Sequence, residues 1–98
     1  HGLSIVYDPK ADQAIATYPS SHRVMVFDGA SGAVLRDIDT RPMGLEYPCG
    51  VTLMPDGAHY AIAGYWRNLF VFERGSHRLL RERCLYPVFY GHSHITAA

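Results

Sequence analysis

The stretch VMVFDGASGAVLR at residues 24–36 returns as LFVFERGSHRLLR at residues 69–81. Val26, Phe27, Ser31, Leu35 and Arg36 recur as Val71, Phe72, Ser76, Leu80 and Arg81, a step of 45 with no gap. Val24 with Leu69, Asp28 with Glu73 and Val34 with Leu79 are conservative pairs in the same alignment. Upstream, AIA at 14–16 comes back at 61–63, a step of 47, and GLSI from Gly2 matches GVTL from Gly50, a step of 48. SHITA from Ser93 echoes CGVTL from Cys49, so a third copy begins near the end. A chain that spells one unit twice builds one supersecondary unit twice, and each unit needs a neighbour to cover its apolar flank.

Each copy reads as four short strands, because compact or alternating runs of Val, Ile, Phe and Tyr are bounded by turn residues. In the first copy these are residues 2–7, 13–18, 23–28 and 33–38, separated by DPKAD, PSS and GASG. In the second they are 50–54, 59–65, 68–73 and 77–84, separated by PDGA, WR and RGS. Pro-Asp-Gly and Gly-x-Ser-Gly suit tight turns, since Pro presets one dihedral and Gly accepts positive φ. No window has a helical period. Four antiparallel strands in about 45 residues is the arithmetic of a β-propeller blade. The expected organisation is therefore a first blade at about 1–40, a linker at 41–48 carrying Pro42, Gly44 and Pro48, a second blade at 49–84, and the start of another at 88–98.

On TLMPDGAHYAIA from Thr52 and RVMVFDGASGAVLR from Arg23, the chain resembles the YVTN-type and quinoprotein-amine-dehydrogenase-like β-propellers. The resemblance covers almost the whole chain. It implies an all-β propeller fragment, two four-stranded antiparallel blades plus the first strand of a third, and it leans towards a periplasmic or secreted setting. It says little about activity, because propellers host unrelated functions. No Trp-Asp dipeptide closes a strand, and Trp66 sits in a connection. A ring takes about four to eight blades. The implied partners are thus the remaining blades of a longer propeller or copies of this chain, and the first residue, His1, fits either a removed leader or a piece of something longer.

Nine acidic and nine basic residues in 98 leave no net charge, which argues against the electrostatic footprint of nucleic-acid or anionic-membrane binding. No apolar run approaches membrane-spanning length. Two cysteines, Cys49 and Cys84, provide no disulfide framework and no C-x-x-C spacing.

Candidate chemistry gathers at one end of the expected blades. The copies put His1 in the place of Cys49 and Ser93, with His92 and His94 flanking that place. Residues just before the first strand of each blade converge at one mouth of a propeller channel, so His1, Cys49, His92 and His94 are expected to meet there. Imidazoles and a thiolate suit zinc, copper or iron, and His1, His92 and His94 are the expected metal ligands; a neutral imidazole also serves as an acid or base. The alternative is that these histidines bond backbone groups between blades. HG at the start is also similar to the copper-chelating N-terminus of polysaccharide monooxygenases, although nothing after Gly2 is. A second candidate is GYWRN, where Tyr65, Trp66 and Arg67 set aromatics beside a guanidinium, to stack on a sugar or a partner protein or to pack between blades. Asp28 and Glu73, repeated before a turn, read as acceptors of local bonds. Arg36 and Arg81 read as scaffold for the same reason.

Three functions follow as expectations: a propeller scaffold binding a small molecule or protein, part of a metal- or cofactor-dependent propeller oxidoreductase or hydrolase, and a carbohydrate-binding oligomeric propeller. The family signatures of phosphate loops, nucleophile elbows and H-E-x-x-H metal helices are absent from the sequence.

Overall fold

A computed structural model describes residues 4–86. The described chain is all-β, with two antiparallel sheets and three short 3-10 turns. Strands β1 (Ser4–Asp8), β2 (Gln13–Tyr18), β3 (Arg23–Asp28) and β4 (Val34–Asp39) form a four-stranded meander in that order. Strands β5 (Gly50–Leu53), β6 (His59–Ala63) and β7 (Leu69–Glu73) form a three-stranded one. Neither sheet is closed. No helix among the described residues is long and apolar enough to cross a membrane.

The expected fourth strand of the second copy, 77–84, is not continuous. Leu79 bridges Phe72, Leu80 N–H donates to Val71 O at 2.8 Å, and the ladder then breaks into a 3-10 turn at Arg81–Arg83 before Leu85 bridges Leu69. The polar run Arg-Glu-Arg has no inward-facing apolar position to keep it in the sheet, so it loops out while Cys84 folds beneath and is fully buried. This also separates the two repeated arginines. Arg36 pairs with Val26 across a bulge that leaves Leu35 unpaired, whereas Arg81 opens the 3-10 turn.

The hairpin loops after β3 and β7 show the repeat at the level of single bonds. Asp28 N–H donates to Ala33 O and Gly32 N–H to Asp28 O; in the second copy Glu73 N–H donates to Arg78 O and His77 N–H to Glu73 O. Asp28 accepts from the Ser31 amide and hydroxyl, and Glu73 accepts from the Ser76 hydroxyl. Both acids are therefore turn-formers, as their repetition suggested. The residue closing each loop is left-handed, Gly32 at φ 76° and His77 at φ 62°.

With β3 and β7 fixed at a step of 45 by these loops, strand pairing corrects the upstream alignment. Gln13 faces Asp28 and His59 faces Glu73, while Ser4 faces Thr17 and Gly50 faces Ala63. The step for the first two strands is thus 46 rather than 47 or 48, which also superposes Pro9 on Pro55. A one-residue change of register moves every side chain to the opposite face of a sheet. Val51, Leu53, Tyr60, Ile62, Phe70 and Phe72 of the second sheet are accordingly the counterparts of Ile5, Tyr7, Ala14, Ala16, Met25 and Phe27 of the first.

Those equivalent faces meet different surroundings. In the second sheet, Val51, Tyr60, Ile62, Phe70 and Phe72 are buried in one cluster with Ile15, Val24 and Val26, which belong to the other face of the first sheet. Their counterparts in the first sheet include Ile5 at 59% and Tyr7 at 54% exposure, with Ala14, Met25 and Phe27 half-buried and the small Ala16 buried among them. The sheets are therefore stacked head to tail, one type of face against the other, and among the described residues no sheet covers the remaining, largely apolar face of the first.

Polar bonds fix this stacking along its length. Thr17 Oγ1 donates to Cys49 O at 2.7 Å, Ser4 Oγ accepts from Val51 N at 3.3 Å, and Lys10 Nζ donates to Gly57 O at 3.1 Å. Arg74 forks onto Asp8 at 2.6 and 3.1 Å, and with two backbone amides these bonds hold the Asp8 carboxyl below its ordinary range. Further in, Tyr60 OH lies 2.8 Å from His77 Nδ1, and His77 Nε2 lies 2.8 Å from Gln13 Oε1. Since an amide oxygen only accepts, the pattern assigns the proton to Nε2 and leaves Nδ1 to accept from the tyrosine.

Burial pushes the His77 pKa below its ordinary value of 6.5, with Arg36 adding to the shift. The unfolded chain then binds the extra proton first, so this contribution to stability is full above pH 6.5 and is lost as the pH falls towards the lowered folded value. Urea unfolding is expected to show a falling midpoint across that window. His77→Asn, which tolerates the left-handed backbone, is expected to be less stable at neutral pH and to flatten the fall.

Candidate functional site

The linker and the β2–β3 and β6–β7 connections come together at one end of the stack. There Pro19, Tyr47, Cys49, Tyr65 and Trp66 line a cavity of about 340 Å³. Pro19 opens the 3-10 turn at Pro19–Ser21, Tyr47 lies at the end of the linker, Cys49 directly precedes β5, and Tyr65 and Trp66 form the tip between β6 and β7. The cavity therefore unites Cys49 with Tyr65 and Trp66, two sets that the sequence reading had kept apart.

The rings are arranged as walls. Tyr65 and Trp66 stand perpendicular, with centroids 4.8 Å apart, and Tyr47 lies 5.7 Å from Tyr65 at 58°. His22 backs Tyr47 at 4.5 Å, and its Nδ1 accepts from the Tyr47 amide at 3.1 Å. Trp66 Nε1 donates to Glu46 Oε1 at 3.1 Å, which fixes the indole while leaving the side chain 54% exposed; Tyr65 is 58% exposed. Cys49 Sγ donates to Tyr47 O at 2.9 Å and is a free thiol, as is Cys84. Arg67 belongs to the same loop but does not line the cavity.

The backbone beneath is unusual. His22, Tyr47 and Arg67 are non-glycine residues with φ of 56°, 49° and 65°. Such residues cost conformational energy and cluster where a loop shape serves a purpose. Gly64, at the base of the Tyr65–Trp66 loop, has no room for a side chain: a Cβ there would stand 2.0 Å from Asn68 Oδ1 and 2.9 Å from Leu45 Cδ1. Gly64 N–H donates to Asn68 O at 2.9 Å, closing the loop that presents both aromatics.

His1, His92 and His94 lie outside the described residues. Of the four groups expected at the channel mouth, only Cys49 is placed, and among the described residues no three of His, Cys, Asp and Glu are grouped to hold a metal ion. Zinc, copper or iron thus has one described candidate ligand, Cys49, and no step of chemistry is derived through a metal. The residues missed by sequence reasoning are Tyr47, Pro19, His22 and Glu46. For Pro19 and His22 the available signal was the alignment of YPSSHR with YWR, because the same loop in both copies carries aromatic or proline residues.

No family model matches the chain, and a search of curated proteins finds no match. The class that the described residues define is an all-β repeat chain of two head-to-tail antiparallel sheets, with an aromatic cavity on the loops of one end.

Proposed function

We propose that the chain is a two-repeat segment of a β-propeller-type binding scaffold of the YVTN or quinoprotein-amine-dehydrogenase-like kind. Its ring is completed by further sheets of the same repeat, supplied by copies of the chain or by the rest of a longer polypeptide. The observation that carries the reading is the stacking itself. Each sheet has two different faces, the contact joins one of each, and the face left open on the first sheet is apolar and equivalent to the one buried in the second. Such a head-to-tail contact can repeat, and it closes into a ring where the rotation from sheet to sheet allows. The function is binding at the loop end, where Cys49, Tyr65 and Trp66 share one cavity and His1, His92 and His94 are expected to join them. A metal- or cofactor-dependent enzyme using those histidines is the alternative.

Sedimentation velocity at micromolar concentration tests the assembly. The chain is expected to associate into a discrete species, and Phe27→Glu, which puts a charge on the open face, is expected to leave a folded monomer. A monodisperse monomer from the unaltered chain at every concentration contradicts completion of the ring by copies of the chain.

A further inference from the structure

We infer that the cavity between Tyr47, Tyr65 and Trp66 binds a methylated ammonium group. The inference takes from the preceding reading only that the loop end is the ligand-facing one.

The lining decides the class. A sugar offers hydroxyls in every direction, and a sugar site answers them with convergent amides, carboxylates or guanidinium groups. None of the five lining residues carries such a side chain. The polar atoms they offer are two phenol hydroxyls, a thiol and an indole N–H, and Glu46 and the Tyr47 carbonyl already take up the indole and the thiol. Aromatic faces remain, set perpendicular or steeply tilted to one another so that they form the sides of a corner rather than a flat platform. A quaternary ammonium needs no hydrogen-bond acceptor. Its charge is spread over methyl groups, which are attracted by the negative faces of several rings at once.

Charge supports the same choice. Glu46 holds the indole N–H and brings a carboxylate to the rim, polarising the Trp66 ring towards a more negative face. The one cation in the loop, Arg67, is not part of the lining. The volume of about 340 Å³ accommodates a trimethylammonium headgroup and the first atoms of the chain attached to it.

Trp66 is the chain's single tryptophan, so its fluorescence reports on this cavity alone. Titration with choline is expected to give a saturable change. Its neutral isostere 3,3-dimethylbutan-1-ol is expected to bind at least about tenfold more weakly, and Tyr47→Leu or Tyr65→Leu to weaken choline by about tenfold. Glu46→Gln is expected to reduce the preference for the charged ligand. Acetylated trimethyllysine distinguishes the source: tighter binding than choline points to a protein tail, and weaker binding to a small molecule or lipid headgroup; both support the inference. Equal binding of the neutral isostere, preference for a methyl glycoside, or no saturable change with choline up to molar concentration would overturn it. The substituted side chains are on exposed connections and belong to no strand of the first sheet. Sedimentation of the same variants therefore shows separately whether assembly persists.

Discussion

Arg74→Met is expected to lower the urea midpoint of unfolding clearly, because it removes the bidentate partner of a carboxylate that has little contact with water and leaves it only two backbone amides. Asp8 is 1% exposed, and Arg74 is its bidentate partner across the two sheets. The size of the effect comes from the charge left behind rather than from the worth of the pair. Asp8→Asn combined with Arg74→Met removes both charges while an amide oxygen still accepts from the Lys10 and Ala11 backbone amides. The double variant is expected to recover most of the stability lost by the single one. Urea unfolding at neutral pH measures both. An unchanged midpoint for Arg74→Met would place the pair with solvent-screened surface pairs.

Phe72→Ala and Phe27→Ala alter the same position of the repeat, and their effects are expected to diverge. Phe72 is fully buried, stacked on Tyr60 at 5.2 Å and 12°, inside the shared core. Truncation there removes an aromatic side chain and leaves a cavity walled by Tyr60, Phe70 and Ile62, at a cost of about 3–5 kcal/mol. Phe27 lies half-buried on the open face. Its loss in a monomer is expected to cost about 1 kcal/mol. In the assembled protein the cost rises towards that of Phe72, and the midpoint of unfolding then depends on protein concentration. Comparing both variants under dilute and concentrated conditions separates intrinsic stability from association.

The repeat made much of this fold legible. Strands β2 and β3 were read with their observed bounds because Tyr18, Pro19 and Asp28 punctuate apolar runs. The turn acids Asp28 and Glu73 followed from their recurrence. Register was harder. AIA at 14–16 and 61–63 is the better match by letters, yet the hairpin loops force Ala14 opposite Phe27 and Tyr60 opposite Phe72. Backbone pairing obeys the loops, and side-chain identity follows. The fate of residues 77–84 was not legible either, since Leu79 and Leu80 continue the alternation and only the contact of Leu85 with Leu69 reveals the excursion between them.

The cavity was half legible. Tyr65 and Trp66 stand out because the second copy departs from the first, and Cys49 because it marks the start of the second copy. Tyr47 and Glu46 belong to the linker, outside the two aligned copies, so the comparison of those copies does not expose them. They reach the site because Gly44 at φ 91° and Tyr47 at φ 49° bend the linker back across Leu45, which is fully buried.

The central claim is the head-to-tail stacking of equivalent sheets, and it places specific residues opposite each other at the next junction. Within the chain, Lys10 Nζ reaches Gly57 O across the stack. By the step of 46, Asp56 stands in the place of Lys10 and Ala11 in that of Gly57. Two preparations, both carrying Cys49→Ser, one with Asp56→Cys and the other with Ala11→Cys, are mixed and treated with a short bismaleimide. Buried Cys84 stays out of reach. The predicted result is a heterologous dimer joined between the two introduced thiols, with little product from either preparation alone and none when Phe27→Glu is added. Linkage as readily within one preparation as between the two, or no linkage at all at concentrations where the chain associates, would contradict the account.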